Sequence, residues 1–240
     1  MKLIQITDLH IGLENEDTRG VDVRHNFIKI LEAIENEKPD CLIITGDFCY
    51  RAPMLEIYIW VKEQLEKLPF AYYMIPGNHD DTHMMKTVFG IDLLNKKEYF
   101  FKKVFAAWNV LFLDTTIARM SDDQYEWLAE NIIDDKDQII FMHHPPAYCD
   151  VGYMDSKHAF QEQEKFQSLL KKYNSTFHIF CGHYHVDKVV HTANMHIHIT
   201  PSLFFQIKQG QIEFEVDHYN VGYRVLKLTS NNISSYVRYI

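Results

Sequence analysis

The chain contains the apolar run Leu3-Ile4-Gln5-Ile6-Thr7, which ends directly in Asp8-Leu9-His10. A short apolar run bounded by polar residues is typical of a buried β-strand. Residues just past a strand can be held rigidly around a ligand, and Asp8 and His10 can reach one site from an extended turn. The segment therefore predicts a strand, Leu3–Thr7, that delivers an acid and an imidazole to a site at its end.

Four further segments repeat this arrangement of an apolar run followed by polar residues. They are Gly46-Asp47 after Cys41–Thr45, Gly77-Asn78-His79-Asp80 after Ala71–Ile75, His143-His144-Pro145-Pro146 after Gln138–Met142, and Gly182-His183-Tyr184-His185 after Thr176–Cys181. His183 and His185 have the same spacing as Asp8 and His10. Five strand ends of this kind predict one site built from loops around a ligand.

These side chains offer carboxylate, amide and imidazole donors, and no thiolate. Such a mixed set of oxygen and nitrogen donors suits Mn²⁺, iron or Zn²⁺ better than Ca²⁺. One carboxylate can bridge two cations, and Asp47 lies between the flanking segments in the sequence. The pattern therefore predicts a site for two metal ions.

Each of these residues has a simpler explanation when it is taken alone. Asp and Asn favour turns, so Asp8, Asp47 and Asn78 could be turn residues without a ligand. His196 and His198 alternate on a predicted strand and could chelate a metal, but a pair on a sheet surface is the better explanation. The occurrence of all five segments in order, each after a strand, favours the metal site.

The rest of the chain predicts an α/β fold. Apolar residues at helical spacing predict helices between the strands, among them Val21–Glu37 and Ala159–Tyr173. From about residue 187 the tail is typical of short strands with turns, including one over Glu213–Val216. No internal repeat or linker is present, so we expect a single domain over residues 1–240, with two β-sheets packed together and helices outside.

Composition argues against several classes of protein. The formal charge of −9 disfavours a general nucleic-acid binder, which normally carries a basic face. No apolar run reaches the roughly 18 residues of a membrane span, and the first residues lack the form of a signal peptide. The four cysteines are scattered, which favours reduced thiols in a cytoplasmic protein.

Together, the five segments resemble those of the calcineurin-like metallophosphoesterases, in the same order and from Lys2 to about Gln206. The resemblance implies a four-layer αββα sandwich of two mixed β-sheets flanked by helices. It also implies two metal ions, with Mn²⁺ or iron favoured and Zn²⁺ as an alternative. One ion would be held by Asp8, His10, Asp47 and His185, and the other by Asp47, Asn78, His143 and His183, with Asp47 bridging.

The resemblance also implies how these residues would act in catalysis. A hydroxide bridging the two ions would attack phosphorus in line with the leaving oxygen. His79 would contact the phosphate and protonate the leaving oxygen, and Asp80 would orient His79. His144, next to a predicted ligand, would have a structural role.

Four features are similar to those of the class III cyclic nucleotide phosphodiesterases. They are Gly20-Val21-Asp22, Leu113-Asp114-Thr115, the segment His143-His144-Pro145-Pro146, and a tail with Thr200-Pro201-Ser202 and Gly222-Tyr223-Arg224. The substrate would be a small phosphodiester, a 3′,5′-cyclic nucleotide such as cAMP, opened to the 5′-monophosphate. A glycerophosphodiesterase or phosphomonoesterase of the same fold is the alternative.

Other functions on this fold are less compatible with the sequence. A nuclease would use the same metals, but the chain has no basic stripe. Tyr50 stands where the related motif often has an acid, which argues against a protein phosphatase. A scaffold that had lost the chemistry would not need His79 and every ligand position. The β-rich tail could join two copies in a homodimer.

Overall fold

The computed structural model describes residues 1–240 and contains two large β-sheets and one small one. The strands are β1 (Lys2–Ile6), β2 (Cys41–Thr45), β3 (Ala71–Ile75), β4 (Phe101–Phe105), β5 (Trp108–Phe112), β6 (Gln138–Phe141), β7 (Phe177–Cys181), β8 (Lys188–Thr192), β9 (Met195–Ile199), β10 (Gln206–Ile207), β11 (Val216–His218), β12 (Gly222–Leu228) and β13 (Ile233–Tyr239). The helices are α1 (Val23–Glu37), α2 (Leu55–Leu65), α3 (Thr82–Phe89), α4 (Asp122–Asn131), α5 (Tyr153–Lys157) and α6 (Gln163–Leu170).

Both large sheets are mixed, as predicted. The first has the order β13-β12-β1-β2-β3, in which β1, β2 and β3 are parallel and β12 and β13 are antiparallel additions. The second has the order β4-β5-β6-β7-β9-β8, with four parallel strands between antiparallel edge strands. Strands β10 and β11 form a separate small hairpin.

The two large sheets pack face to face and carry helices on their outer faces. Successive residues of a strand point to opposite faces, so neighbouring side chains separate into two layers. Ile43 of β2 lies in the inner layer with Phe112 of β5 and Phe141 of β6. Ile44 of β2 lies in the outer layer with Phe27 of α1. These layers confirm the predicted sandwich.

A polar network crosses the inner layer and joins the two sheets. The side chain of Gln5 donates to Oγ1 of Thr45 at 2.8 Å and to the carbonyl of Cys181 at 3.2 Å. Oγ1 of Thr200 donates to Gln5 at 2.7 Å and accepts from Nε of Arg224 at 3.0 Å. Because these buried polar groups satisfy one another, the network favours one alignment of the sheets.

The helix predicted over Ala159–Tyr173 is shorter in the structure. It covers Gln163–Leu170, and a separate short helix, α5, precedes it. The backbone N–H of Gln161 donates instead to the carbonyl of Ala118 at 2.9 Å. A tertiary contact therefore replaces the helical pattern at the start of this segment.

The strand predicted over Glu213–Val216 was also wrong in position. Strand β11 begins only at Val216 and runs to His218. Residues 211–215 are exposed and form the turn of the β10–β11 hairpin. The alternating apolar residues Ile212 and Phe214 belong to this turn, so their period of two does not mark a strand.

None of the helices has the length and hydropathy needed to cross a membrane. The four cysteines are all buried and unpaired. Burial raises the pKa of Cys41, Cys49 and Cys149 to about 12, so these thiols stay protonated at neutral pH.

Candidate active site

The predicted ligands lie two or three residues past the ends of five parallel strands. Asp8 follows β1, Asp47 follows β2, Asn78 follows β3, His143 follows β6 and His183 follows β7. Backbone hydrogen bonds join neighbouring loops, from Asp8 to Gly46 and from Gly182 to His143, each at 3.0 Å. The loops of both sheets therefore meet at one edge of the sandwich and bring the predicted residues together.

Five of the predicted ligands have a left-handed backbone. The φ angles are 52° at Asp8, 46° at His10, 55° at Asp47, 65° at His183 and 51° at His185. Residues other than glycine rarely adopt such angles because Cβ approaches the backbone too closely. Strain of this kind persists where the surrounding structure holds it and is concentrated at functional sites.

Two glycines allow the loops to approach each other closely. A Cβ atom on Gly77 would lie 2.2 Å from Oδ1 of Asp47. A Cβ atom on Gly182 would lie 1.9 Å from Oγ1 of Thr7 and 2.6 Å from Oδ2 of Asp8. A larger residue at either position would displace a predicted ligand, which explains these glycines beside the ligand residues.

Backbone carbonyls orient three of the predicted histidine ligands. The donor–acceptor pairs are Nδ1 of His143 with Thr45 at 2.7 Å, Nδ1 of His185 with Phe205 at 3.0 Å, and Nε2 of His183 with His158 at 2.9 Å. A carbonyl can only accept, so each of these ring nitrogens carries the proton. In the neutral ring the other nitrogen keeps a free lone pair, which is the state that binds a metal.

The first group of donors comprises Asp8, His10 and His185. Nε2 of His185 lies 3.0 Å from Nε2 of His10 and 3.2 Å from Oδ1 of Asp8. The ligand atoms of all three are close enough to surround one cation. Burial lowers the pKa of His10 to about 3, so its ring is neutral, and its Nδ1 has no partner in the buried interior. Two imidazoles and a carboxylate fit Mn²⁺, iron or Zn²⁺.

The second group comprises Asp47, Asn78, His143 and His183. Nε2 of His143 lies 3.2 Å from Oδ1 of Asn78 and 3.4 Å from Oδ1 of Asp47. The ligand atoms of Asp47, His143 and His183 can surround one cation. The other carboxylate oxygen of Asp47 lies 3.6 Å from Nε2 of His10 in the first group. Asp47 thus faces both groups, the position that a bridging ligand requires.

The two buried carboxylates remain ionised because histidines surround them. Burial alone would raise the pKa of Asp8, but His185 and His143 lower it to about 2. Burial likewise opposes the charge of Asp47, yet His143 and its other neighbours hold its pKa well below the usual value. Two ionised carboxylates away from water require compensating positive charge, which bound cations would supply in place of protonated histidines.

His79 lies at the edge of both groups and is more exposed than the predicted histidine ligands. Its side chain is 31% exposed, and its Nε2 lies 4.0 Å from Oδ2 of Asp47. It is also close enough to His10 and Asp47 to complete a third set of donors. Its Nδ1 donates to the backbone carbonyl of Arg51 at 2.9 Å, so the ring presents Nε2 to the site.

The predicted role of Asp80 requires a correction. Its carboxylate forms no hydrogen bond with the His79 ring, which the Arg51 carbonyl orients instead. Asp80 accepts hydrogen bonds from Phe48 N–H at 3.0 Å, Gly77 N–H at 2.8 Å and the Tyr58 hydroxyl at 3.1 Å. Burial and the charge of Asp47 raise its pKa to about 7. Asp80 therefore joins the loops that follow β2 and β3, and acts on His79 only through them.

His144 lies behind the predicted ligands, in agreement with the structural role expected for it. Its ring is buried, with its centroid 4.1 Å from that of His183. Its Nδ1 forms a hydrogen bond with Oγ1 of Thr115 at 2.9 Å. The ring therefore packs against a predicted ligand.

A cavity of about 480 Å³ lies over the two groups of donors. Sequence reasoning missed most of its walls, which are aromatic and cationic: Arg19, Tyr50, Arg51, Tyr153, Phe204, Phe205 and Phe214. The one available signal was the pair Phe204-Phe205, an apolar run that follows Pro201-Ser202 and belongs to no predicted strand. Tyr153 and Phe214 lie far apart in the sequence and gave no signal.

Residues 1–187 match the family model of the calcineurin-like phosphoesterases. The match covers most of the chain and agrees with the fold and the positions of the donors described above. The chain belongs to the calcineurin-like phosphoesterase family and is a metal-dependent phosphoric ester hydrolase. Membership of this family implies a dinuclear metal site.

Within the family, the chain is similar to phosphodiesterases. A probable cyclic nucleotide phosphodiesterase of Fibrobacter succinogenes is 29% identical over 209 residues, which cover 86% of this chain and 81% of the relative. A glycerophosphodiester phosphodiesterase of Enterobacter lignolyticus is 29% identical over 204 residues, which cover 77% of this chain and 71% of the relative.

The fold is also found among solved structures. A dimetal phosphatase from Danio rerio superposes with a TM-score of 0.72 at 12% identity, covering 99% of this chain and 96% of the other. The likeness confirms the metallophosphoesterase fold. The resemblance to cyclic nucleotide phosphodiesterases comes from the sequence relatives.

Proposed function

We propose that this protein hydrolyses a 3′,5′-cyclic nucleotide such as cAMP to the 5′-monophosphate. The observation that carries the proposal is the meeting of two donor groups at Asp47, beneath an open cavity and beside His79. The relative named as a probable cyclic nucleotide phosphodiesterase supports the substrate class. A cavity of about 480 Å³ is of the size that proteins use for small molecules.

The two donor groups would hold two cations. Asp8, His10, Asp47 and His185 would bind one, and Asp47, Asn78, His143 and His183 would bind the other. When bound, such a pair polarises phosphate oxygens and lowers the pKa of water. The oxygen and nitrogen donors suit Mn²⁺ or iron, with Zn²⁺ as an alternative.

His79 would supply the proton for the leaving oxygen. Because the Arg51 carbonyl engages Nδ1, only Nε2 is directed toward the cavity, and the imidazolium form donates from it. In the reaction, the oxygen of water forms a bond to phosphorus and releases one proton to solvent, and the bond between phosphorus and the 3′ oxygen breaks. The proton passes from Nε2 to that departing oxygen.

A glycerophosphodiester is the second candidate substrate. The Enterobacter lignolyticus relative, at 29% identity, supports it as directly as the other relative supports a cyclic nucleotide. Both substrates require the same donors and the same acid. They differ in the organic group that the cavity must receive.

The proposal is tested with a panel of substrates and the Mn²⁺-loaded protein. The panel contains cAMP, glycerophosphoethanolamine and the monoester p-nitrophenyl phosphate, and Asp47→Asn serves as the inactive control. We expect the highest kcat/KM for cAMP and 5′-AMP as its product. A higher kcat/KM for glycerophosphoethanolamine supports the second candidate, and no turnover with Mn²⁺, iron or Zn²⁺ contradicts both.

A further inference from the structure

We infer that one side of the cavity is a binding site for the nucleobase of the substrate. The site consists of Tyr153, Phe204, Phe205 and Phe214, called here the aromatic wall, together with the guanidinium of Arg19. The inference rests on the proposed function and deepens it, because it distinguishes a nucleoside from glycerol as the organic group. It also assigns specificity to residues outside the five segments that carry the metal donors.

The aromatic wall begins directly beside the first group of donors. The ring centroid of Phe204 lies 5.3 Å from that of His10, and the centroid of Phe205 lies 5.2 Å from that of His185. The carbonyl of Phe205 also orients His185. An ester whose phosphate lies over the donors would therefore place its organic group against this wall.

The outer part of the wall comes from two different segments of the chain. The centroid of Phe214 lies 5.7 Å from that of Phe205 and 5.5 Å from that of Tyr153. Residue 211, in the same turn as Phe214, forms a β-bridge with Gly152. A Cβ atom on Gly152 would lie 2.3 Å from the carbonyl oxygen of Gln211, so glycine permits this close contact. Backbone contact between the two segments thus holds Phe214 beside Tyr153.

Arg19 lies over the wall and makes no ion pair. Its Cζ atom is 5.4 Å from the ring centroid of Phe214 and 5.9 Å from that of Phe205. The side chain is exposed, in a chain of net charge −9 that offers many acidic partners. A planar guanidinium beside aromatic rings can stack on a heteroaromatic base, which presents π faces to both.

The chemistry of the wall favours a base over a glycerol group. Glycerol carries hydroxyl groups, which lose hydrogen bonds to water against an apolar surface. Phe214, which is 38% exposed, and the parts of Phe204 and Phe205 that line the cavity offer no side-chain polar atom in return. A flat base buries its apolar faces there while its edge stays accessible to the solvent-filled cavity.

The inference is tested by comparing the binding of two monophosphates to the Mn²⁺-loaded protein by calorimetry. The probes are 5′-AMP and ribose 5-phosphate, which carry the same phosphate and sugar and differ by the base. We expect 5′-AMP to bind roughly tenfold more tightly, the scale of one stacked base. Because both probes carry the same phosphate, the ratio of their dissociation constants is unaffected by a substitution that acts only on the metals or on phosphate binding.

Variants then locate the source of that ratio. Phe214→Ala and Arg19→Ala should each lower the ratio several-fold, whereas Phe214→Trp should retain it. Tyr219→Ala removes an aromatic residue that is 58% exposed and does not line the cavity, so it serves as the matched control. In turnover, Phe214→Ala should raise KM for cAMP by a larger factor than KM for glycerophosphoethanolamine.

Two results would overturn the inference. One is equal affinity of the wild-type protein for the two probes, and the other is a ratio that both substitutions leave intact. Failure of the proposed function has a different signature, which is the absence of phosphodiester turnover whatever the binding ratio. If 5′-AMP binds more tightly than ribose 5-phosphate but no phosphodiester is hydrolysed, the proposed reaction is refuted and the base site is supported.

Discussion

Two groups of histidines occur in this molecule, and only one of them forms a candidate metal site. At the active edge, imidazoles from loops converge on Asp8 and Asp47. The histidines of the other group lie on the faces of β7 and β9 and are called here the sheet histidines: His178, His196 and His198. No set of three potential ligand atoms close enough to hold a cation includes any of the sheet histidines.

The sheet histidines differ from those of the candidate site in what surrounds their rings. His198 stacks on Phe180 with centroids 4.6 Å apart, and His178 lies edge-on to Trp108 at 5.8 Å. No ion pair joins these histidines to a carboxylate. Regular strands place side chains at fixed spacing along a face, whereas strained loops can turn several donors toward one point. Histidine content alone therefore does not predict a metal site.

The largest expected effect separates the two groups directly. Asp47→Asn removes the charge that faces both donor groups, so the protein should lose most of its bound metal and nearly all its activity. His198→Ala should leave metal content and activity close to wild type. Metal analysis after dialysis, together with turnover of a phosphodiester, measures both. Retention of full metal content in Asp47→Asn would refute the bridging position.

The next effect tests the acid within the active group. His79→Ala should retain its metals, because both donor groups keep all their predicted ligands without it, and should lose roughly 10²–10⁴-fold in rate on an alkyl ester. The loss should be much smaller for bis(p-nitrophenyl) phosphate, whose leaving group needs little protonation. Equal losses on both substrates, or a loss of metal, would show that His79 does not act as the acid.

A smaller effect tests the loop geometry that the sheet histidines lack. Gly182→Ala should cost about 1–3 kcal/mol of stability and weaken metal binding, because the new methyl group overlaps Thr7 and Asp8. Gly90→Ala is the control without steric overlap, since Gly90 has a φ of 70° but no atom within 4 Å of an added Cβ. Denaturant unfolding compares the stabilities of the two variants, and metal titration compares their metal affinities. Equal metal affinity in both would contradict the steric explanation.

The smallest effect concerns the sheet histidines at acidic pH. Burial, with the nearby charge of Arg224, lowers the pKa of His198 to about 3 in the folded protein, below its ordinary value of 6.5. As the pH falls below 6.5 the unfolded chain binds the proton first, so folding becomes less favourable. Between pH 7 and 5 wild type should lose about 1–2 kcal/mol more stability than His198→Phe.

The measurement uses chelator-treated protein, so that release of metal at low pH does not contribute to the loss of stability. Urea unfolding at several pH values gives the difference between wild type and the variant. A difference that stays constant from pH 7 to pH 5 would mean that His198 titrates normally in the folded state.

The sequence predicted the fold, and the convergence of the candidate donors, because both depend on local patterns. Buried parallel strands form uninterrupted apolar runs, so Cys41–Thr45 and Ala71–Ile75 were predicted with their observed bounds. The donors follow such runs within a few residues. Their meeting at one edge was predictable once the strands were known to be parallel.

Other features depend on contacts between distant segments and left no local trace. The carbonyl of Arg51 that orients His79, and the contact of Phe214 with Tyr153, join residues far apart in the sequence. The family resemblance implied that Asp80 orients the adjacent His79, but its carboxylate turns toward Phe48 and Tyr58. Adjacency in sequence is therefore a weak guide to side-chain partners in strained loops.

The metal shell described above draws its donors from the loops of both sheets. His10 and His185, whose Nε2 atoms lie 3.0 Å apart, are separated by 175 residues of chain. A cation bound by both would cross-link the sandwich at its open edge, much as a disulfide would. Because such an ion binds the folded chain and not the unfolded one, it adds to folding free energy by mass action. Metal supply would then govern how long the folded protein survives, as well as how fast it works.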